Sequence, residues 1–291
     1  RVGIINVTGY AGSELARLLY RHPQVEVVSV TGRSAAGQKL GDVFPHLADM
    51  DMKITADLDR SVDVAFSAMP HKASAEVILP LLKAGVKVVD ISADFRLKDG
   101  NLYPKWYQFS HPAPELLVEA VYGLTELYRR QIRKARLVAN PGCYPTSAIL
   151  ALAPVFKSGL IKPDVILDSK SGISGAGRTL ALNTHFAEAS DNVSAYGLEG
   201  HRHLPEIVQE LSYLNRKRPV SVTFIPHLIP MTRGILTTCY ASFKPGKLSG
   251  GKAAQELTAL YKDFYKGEPF VRVVDTPPGT KHTWGNNYCL I

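Results

Sequence analysis

The chain has little cysteine: Cys143, Cys239 and Cys289 are the three among 291 residues. They are odd in number, widely spaced, and none belongs to a C-x-x-C pair. That argues against a disulfide framework or a zinc knuckle and fits a reducing cytoplasm. Long apolar runs are also missing, so no segment reads as a membrane-spanning helix. The opening RVGIINV reads as a buried strand and lacks the basic segment, apolar core and small-residue cleavage site of an export signal. Internal repeats and low-complexity segments are absent. Acidic residues are the minority, 26 against 34 Lys and Arg, giving a net charge of +8 with His neutral. Such a balance suggests anionic partners. The basic residues are scattered, apart from RRQIRKAR (129–136) and NRKR (215–218), and no aromatics are interleaved with them. Nucleic acid is therefore not the expected partner. A phosphorylated substrate and a phosphorylated cofactor would use the charge equally well.

What is present is an ordinary globular composition, 45% hydrophobic and 21% charged, long enough for two domains. The first half alternates strand and helix. VGIINV is a short continuous apolar run, as in a strand buried on both faces. SELARLLYRH follows, with Leu15, Leu18 and Leu19 on one helical face. VEVVSV (25–30), VDVAFSAM (62–69), VKVVDIS (86–92) and ARLVAN (135–140) read as further strands, and 73–82 as a helix. This predicts an α/β fold with a Rossmann-type, doubly wound parallel sheet. Beyond about residue 157 the strands VILDSKS, PVSVTFIP, GILTTCYASF and PFVRVV lie farther apart, and 252–265 reads as a long helix. A second domain of α+β type is expected. The division falls at Cys143, giving 1–142 as a nucleotide-binding domain and 143–291 as a substrate and catalytic domain.

The turn between the first strand and first helix is INVTGYAGSEL. A helix N-terminus there offers amides and a dipole that favour a phosphate. Gly9 and Gly12 match the last two glycines of a GxxGxxG turn, while Asn6 stands at the first. Asn tolerates a left-handed backbone better than most residues. The second strand ends in Thr31-Gly32-Arg33-Ser34 and carries no acidic residue to take ribose hydroxyls. Arg33 and Ser34 can donate to a 2′-phosphate, so NADP(H) is expected over NAD.

Three stretches carry chemistry. In ANPGCYPTSA a cysteine follows Pro-Gly and precedes a helical run, Thr146 to Ala153, which Pro154 should stop. A helix N-terminus or nearby cation favours the thiolate, the reactive form. The alternative is a small buried residue, the reading that fits Cys239 and Cys289. In GLEGHRHLPEI, His201 and His203 flank an arginine. No third ligand lies near enough for a metal site, so acid/base work fits better than metal binding. In DSKSGISGAGRTL, a small-residue loop between Lys170 and Arg178 suits a phosphate, or is simply a flexible loop.

Taken together, TGYAGSEL (8–15), SADFRL (92–97), NPGCYPT (140–146), SKSGISGAGR (169–178), GHRHLPEI (200–207) and PHLIPMTRGI (226–235) resemble the N-acetyl-γ-glutamyl-phosphate reductase family of arginine biosynthesis, in the family's order. The resemblance implies a second domain like the C-terminal domain of glyceraldehyde-3-phosphate dehydrogenase. It implies NADPH-dependent reduction of an acyl phosphate to a semialdehyde through a thioester on Cys143. His201 or His203 is the implied acid/base, with His201 favoured. Thr8, Gly9, Tyr10, Ala11, Gly12, Arg33, Ser34, Pro70 and Gly175 are implied cofactor contacts, with His71 near the nicotinamide. Arg96, Asn140, Lys170, Ser174 and Arg178 are implied substrate contacts. A cytoplasmic homo-oligomer, dimer or tetramer, is implied, with a small-molecule partner and neither membrane nor metal. The alternatives are a reductase of carrier-bound aminoadipyl phosphate from lysine biosynthesis, or a non-catalytic NADP-binding regulator. The family continues past NNYCLI with another strand and a helix, so the chain is expected to be part of a longer one.

Overall fold

The short apolar runs of the first half become strands. In the computed structural model, which describes residues 1–59, 61–248 and 250–291, the chain divides into two compact units, Arg1–Pro141 and Gly142–Ile291. The first unit holds β1 (Val2–Ile5), β2 (Val27–Val30), β3 (Val64–Ser67), β4 (Lys87–Asp90), β5 (Val121–Tyr122) and β6 (Leu137–Ala139). They form one sheet in the order β2-β1-β3-β4-β6-β5, and every pairing is parallel. The two-residue β5 was not legible as a strand. Val2 and Ile4 enter one core cluster and Ile5 the other, so β1 is covered on both faces. Burial of each such side chain contributes about 1.5–3 kcal/mol. The helix Tyr10–Tyr20 buries Gly12, Ser13, Ala16 and Leu19. Leu18, expected on that face, is exposed instead. The chain leaves β1 to one side for β2 and to the other for β3. The carboxyl ends of β1 and β3 therefore make the switch point at which open α/β sheets hold ligands.

The second unit is built on β7 (Ile161–Ser171), β8 (Ser194–Ala195), β9 (Ser221–Leu228) and β10 (Ile235–Phe243), ordered β10-β7-β9-β8. β7 runs parallel to β9 and antiparallel to β10, a mixed sheet as α+β requires. A parallel pair, β11 (Val271–Arg272) with β12 (Cys289–Leu290), stands apart from it. The helices Cys143–Lys157, Leu204–Leu214 and Ala253–Phe264 accompany these strands. The Cys143–Lys157 helix packs on one face of β7 and β10, where Ser147 Oγ lies 2.8 Å from Thr237 Oγ1 and Ser169 Oγ lies 2.9 Å from it.

Pro154 does not stop that helix; it lies inside it. A proline has no amide hydrogen for the carbonyl four residues back. Here the Tyr265 hydroxyl donates to the Leu150 carbonyl at 2.5 Å, and the Tyr261 hydroxyl to Ala151 at 2.6 Å. The Tyr265 hydroxyl, just beyond the Ala253–Phe264 helix, thus supplies what proline removes, and Tyr261 adds a second tie one residue on.

Candidate active site

In the N-terminal unit the turn after β1 is shaped by two residues. Asn6 adopts φ +65°, the left-handed geometry its side chain tolerates. Its Nδ2 donates to the Ala68 carbonyl at 2.9 Å, joining the ends of β1 and β3. Gly12 sits so close under the turn that a Cβ there would lie 2.4 Å from the Asn6 carbonyl oxygen. A Cβ at Gly9 would meet nothing nearer than 3.7 Å, so packing alone does not demand glycine there. Close approach of a ligand phosphate would. No side chain caps the Tyr10–Tyr20 helix, and its first turn holds no acidic residue.

A cleft of about 800 Å³ opens at the switch point, lined by Asn6, Gly32, Arg33, Ser34, Met69 and Pro70 among others. It gathers three of the expected cofactor residues, Arg33, Ser34 and Pro70, beside the turn. Two carboxylates that the sequence reading passed over, Asp57 and Glu76, also line it. The cleft fits a dinucleotide: a bare turn at a helix start, an arginine and a serine at the end of β2, and room between. Thr8, Tyr10 and Ala11 belong to the turn and its helix start. Gly175 lies in the other unit, in the turn Ile173–Ala176.

In the C-terminal unit Cys143 is the first residue of its helix, with Gly142 as N-cap. The thiol is exposed, while Gly142 and Tyr144 on either side are buried. The His203 ring closely approaches Gly142: a Cβ there would stand 2.6 Å from His203 Nε2, and the ring would have to shift to admit it. The Gly142 amide donates to Glu206 Oε1 at 2.7 Å, and Glu206 is fully buried. The His203 amide donates to His201 Nδ1 at 3.0 Å. That leaves Nε2 as the protonated nitrogen of the neutral His201 ring. His201 packs edge-on to Tyr144, Tyr196, Phe224 and His203. Burial first, and Arg202 second, lower its pKa to about 4. The Tyr196 hydroxyl donates to Tyr144 Oη at 3.0 Å. Burial raises the pKa of both phenols, and Cys143 adds to the effect. The thiol therefore has two imidazoles and two phenols in its surroundings. It also borders a cavity of about 780 Å³ with Thr146, Ser147 and Gly234, which neither histidine lines.

The expected substrate cations fare differently. Lys170 does not join Cys143. Side chains alternate along a strand. Ser169 faces the helix, so Lys170 projects from the opposite face, where Nζ lies 2.5 Å from Asp168 Oδ2. Arg96 is buried in the N-terminal unit, its Nε donating to the Asn140 carbonyl at 2.7 Å and Nη2 to Ile91 at 2.8 Å. These contacts tie it to the main chain leading to Pro141. The Asn140 side chain donates to the Pro141 carbonyl at 3.2 Å. Arg178 is exposed, and Ser174 is half-buried. The loop they share is not slack at its start: the amides of Gly172, Ile173 and Ser174 donate to Gly234, Met231 and Thr232. Cys239 fits its structural reading, its thiol pushed up to about 12 by burial. Among the described residues no group of three His, Cys, Asp or Glu is placed to hold a metal ion, and no helix is long and apolar enough to cross a membrane. Glu206 and Asp57 escaped the sequence reading. Glu206 carried one weak sign, an acidic residue three positions after His203 at a helix start.

Two family profiles match. One described as semialdehyde dehydrogenase, NAD binding domain, covers residues 1–135, and one described as semialdehyde dehydrogenase, dimerisation domain, covers 143–291. The N-acetyl-gamma-glutamyl-phosphate reductase of Dehalococcoides mccartyi (strain CBDB1) is 58% identical over 291 residues, covering 100% of this chain and 84% of that protein. Among solved structures, aspartate semialdehyde dehydrogenase II from Vibrio cholerae aligns with a TM-score of 0.69 at 14% identity, over 100% of this chain and 86% of the other. Aspartate semialdehyde dehydrogenase with NADP from Candida albicans aligns with a TM-score of 0.63 at 16% identity, over 97% and 84%. At these identities the structural likeness is one of fold.

Proposed function

The chain belongs to the semialdehyde dehydrogenase family, among the N-acetyl-γ-glutamyl-phosphate reductases, and on that premise we propose that it reduces N-acetyl-γ-glutamyl phosphate to the semialdehyde with NADPH, in the cytoplasm, as a step of arginine biosynthesis. Neither sequence-based alternative, the lysine-pathway reductase or the regulator, is favoured by the comparisons. The observation that carries the reading is the exposed Cys143 at a helix start with the His203 ring against Gly142. We assign Cys143 as nucleophile and, on that proximity, His203 rather than His201 as its acid/base. His201 orients it through the His203 amide.

The Cys143 sulfur attacks the acyl carbon, and the carbon–oxygen bond to phosphate breaks. His203 takes the thiol proton and passes it to the departing phosphate. Amides of the first helical turn stabilise the tetrahedral oxygen of that step. When bound, NADPH supplies the hydride that the thioester carbon accepts. The thiohemiacetal then collapses to the aldehyde and expels the Cys143 thiolate, with His203 holding the proton of its oxygen. A solvent proton restores the thiol. Asn6, Gly9, Gly12, Arg33, Ser34 and Pro70 hold the dinucleotide, with Arg33 and Ser34 on the 2′-phosphate. Arg178 and Ser174 are proposed for the substrate.

We also assign a homo-oligomer to the helix-free face of the β10-β7-β9 sheet, where Ile166 and Tyr240 are exposed side by side. Sedimentation showing a monomer at micromolar concentration would remove that assignment. The reaction itself is tested by NADP⁺ reduction with N-acetylglutamate semialdehyde, with and without phosphate. Phosphate-dependent NADPH formation that Cys143→Ser abolishes is expected. Bound NADP⁺ without turnover on this substrate would sink the substrate assignment.

A further inference from the structure

Both side chains that touch Gly142 come from the start of one helix. His203 is the N-cap of Leu204–Leu214, and Glu206 lies in its first turn. A Cβ at Gly142 would stand 2.6 Å from His203 Nε2, and the Gly142 amide lies 2.7 Å from Glu206 Oε1. One residue, the glycine that leads into Cys143, is thus gripped by a ring and a carboxylate three residues apart. Glu206 is 0% exposed. A buried carboxylate in an enzyme interior is costly unless its oxygens are used. Here one oxygen is used on the N-cap amide of the helix that carries the thiol.

The electrostatics make the placement telling. A carboxylate beside a helix start opposes the thiolate, which a helix N-terminus otherwise favours. Glu206 therefore does not raise thiolate character at Cys143 by its charge; what it supplies there is the geometry of the Gly142 contact. The contact joins residues 64 apart in sequence, fixing the turn Pro141-Gly142-Cys143 against the element that bears the histidines. Misplacement of a reacting group by about 1 Å costs on the order of 100-fold in rate.

We propose that Glu206 is a positioning residue, whose carboxylate oxygen accepts the Gly142 amide and so holds the Cys143 thiol in register with the His203 ring. The proposal rests on the reading of Cys143 as nucleophile. It is tested by a readout that needs no substrate, the rate of Cys143 alkylation by iodoacetamide across pH 5–9. Mass spectrometry separates Cys143 from Cys239 and Cys289. NADP⁺ affinity and turnover of N-acetylglutamate semialdehyde are measured alongside. Glu206→Ala should slow Cys143 alkylation at pH 7 by about tenfold or more and lower kcat by about 100-fold, with KM for NADP⁺ unchanged. Glu206→Gln keeps an oxygen in the same place and should restore both to within about threefold.

A folded Glu206→Ala protein with the wild-type alkylation profile and kcat overturns the proposal. So does Glu206→Gln behaving like Glu206→Ala, since the charge and not the acceptor would then matter. Where Glu206→Ala fails to fold, Glu206→Gln against wild type decides alone. If the wild type itself does not turn over the semialdehyde, the proposed reaction fails while the alkylation comparison still judges Glu206.

Discussion

Both units bury carboxylates, but they put them to different use. The N-terminal unit seals two carboxylates inside. Asp90, fully buried, accepts from Ser74 Oγ at 2.6 Å and from Ser92 Oγ at 2.7 Å, and burial pushes its pKa up to about 6. Asp94, equally buried, accepts the amides of Lys72 at 2.7 Å and Ala75 at 3.0 Å. These acids shape loops at the carboxyl edge of the sheet. The C-terminal unit also buries Glu206 and Glu210, yet it leaves the Cys143 sulfur exposed, with His201, His203 and Tyr196 only partly covered. A binding surface is served by rigid loops, so its polar groups can be buried and satisfied. A reacting atom must be reached, so its support comes from behind, through Gly142 and the histidine helix.

The comparison makes the two units separable by mutation, and the largest effects test that. Gly12→Ala puts a methyl 2.4 Å from the Asn6 carbonyl oxygen, a backbone atom with little room to yield. The overpacking costs about 1–3 kcal/mol and should weaken NADP⁺ binding at least tenfold. Alkylation of Cys143 should stay within twofold of wild type. Cys143→Ser should do the converse, removing turnover by a factor on the order of 10³ or more while calorimetry finds NADP⁺ affinity unchanged. Loss of cofactor binding in the serine variant would break the separation.

A smaller effect sharpens the binding side. Arg33→Ala should raise KM for NADPH about 10- to 100-fold and leave KM for NADH nearly unchanged, since only the 2′-phosphate loses its partner. Equal loss with both cofactors would assign Arg33 to the shared part of the dinucleotide, and the Asp57 and Glu76 carboxylates in the cleft would then need another account.

Local signals carried most of the fold. The continuous apolar runs of β1, β3 and β4 and the Pro-Gly turn before Cys143 are short-range patterns, legible because a strand's burial and a helix's start are written in a few adjacent residues. Asn6 was legible for the same reason: the turn needed a left-handed residue and asparagine can be one. Strand alternation, also a local pattern, is what separates Lys170 from Ser169. The helix stop at Pro154 was misread because the Tyr265 hydroxyl that serves the Leu150 carbonyl comes from 115 residues beyond Leu150. Distance in sequence hid Glu206 too. It also hid the contact of Arg96 with the Asn140 carbonyl, 44 residues along the chain. Such partners belong to the folded chain and have no local signature.

The sealed acid and the partly covered histidine predict opposite pH dependences. Asp90 has its folded pKa raised to about 6 from an unfolded value near 3.9. Its contribution is full below about pH 4 and is lost as pH rises towards 6. His201 has its folded pKa lowered to about 4 from 6.5. Its contribution is full above about pH 6.5 and is lost as pH falls towards 4. Each amounts to roughly 2–3 kcal/mol at most, the less for His201 because solvent reaches part of it. The two offset each other between pH 4 and 6. Asp90→Asn should therefore make protection of the N-terminal unit from hydrogen exchange insensitive to pH in that window. His201→Gln should do the same for the C-terminal unit. Wild-type pH profiles in both variants would show that burial of these groups is not what separates the units.

The smallest effect concerns the helix behind the thiol. Leu150 is buried, and its carbonyl has no amide to meet because position 154 is proline. Tyr265→Phe removes the hydroxyl that serves it and should cost about 1–3 kcal/mol in urea unfolding. Pro154→Ala restores an amide within the helix. In that background Tyr265→Phe should cost less, with a coupling of about 1 kcal/mol between the two positions. Additive costs would mean that the hydroxyl contributes through packing against the helix and not by replacing the missing amide. The proline would then be tolerated for some other reason than the partner opposite it.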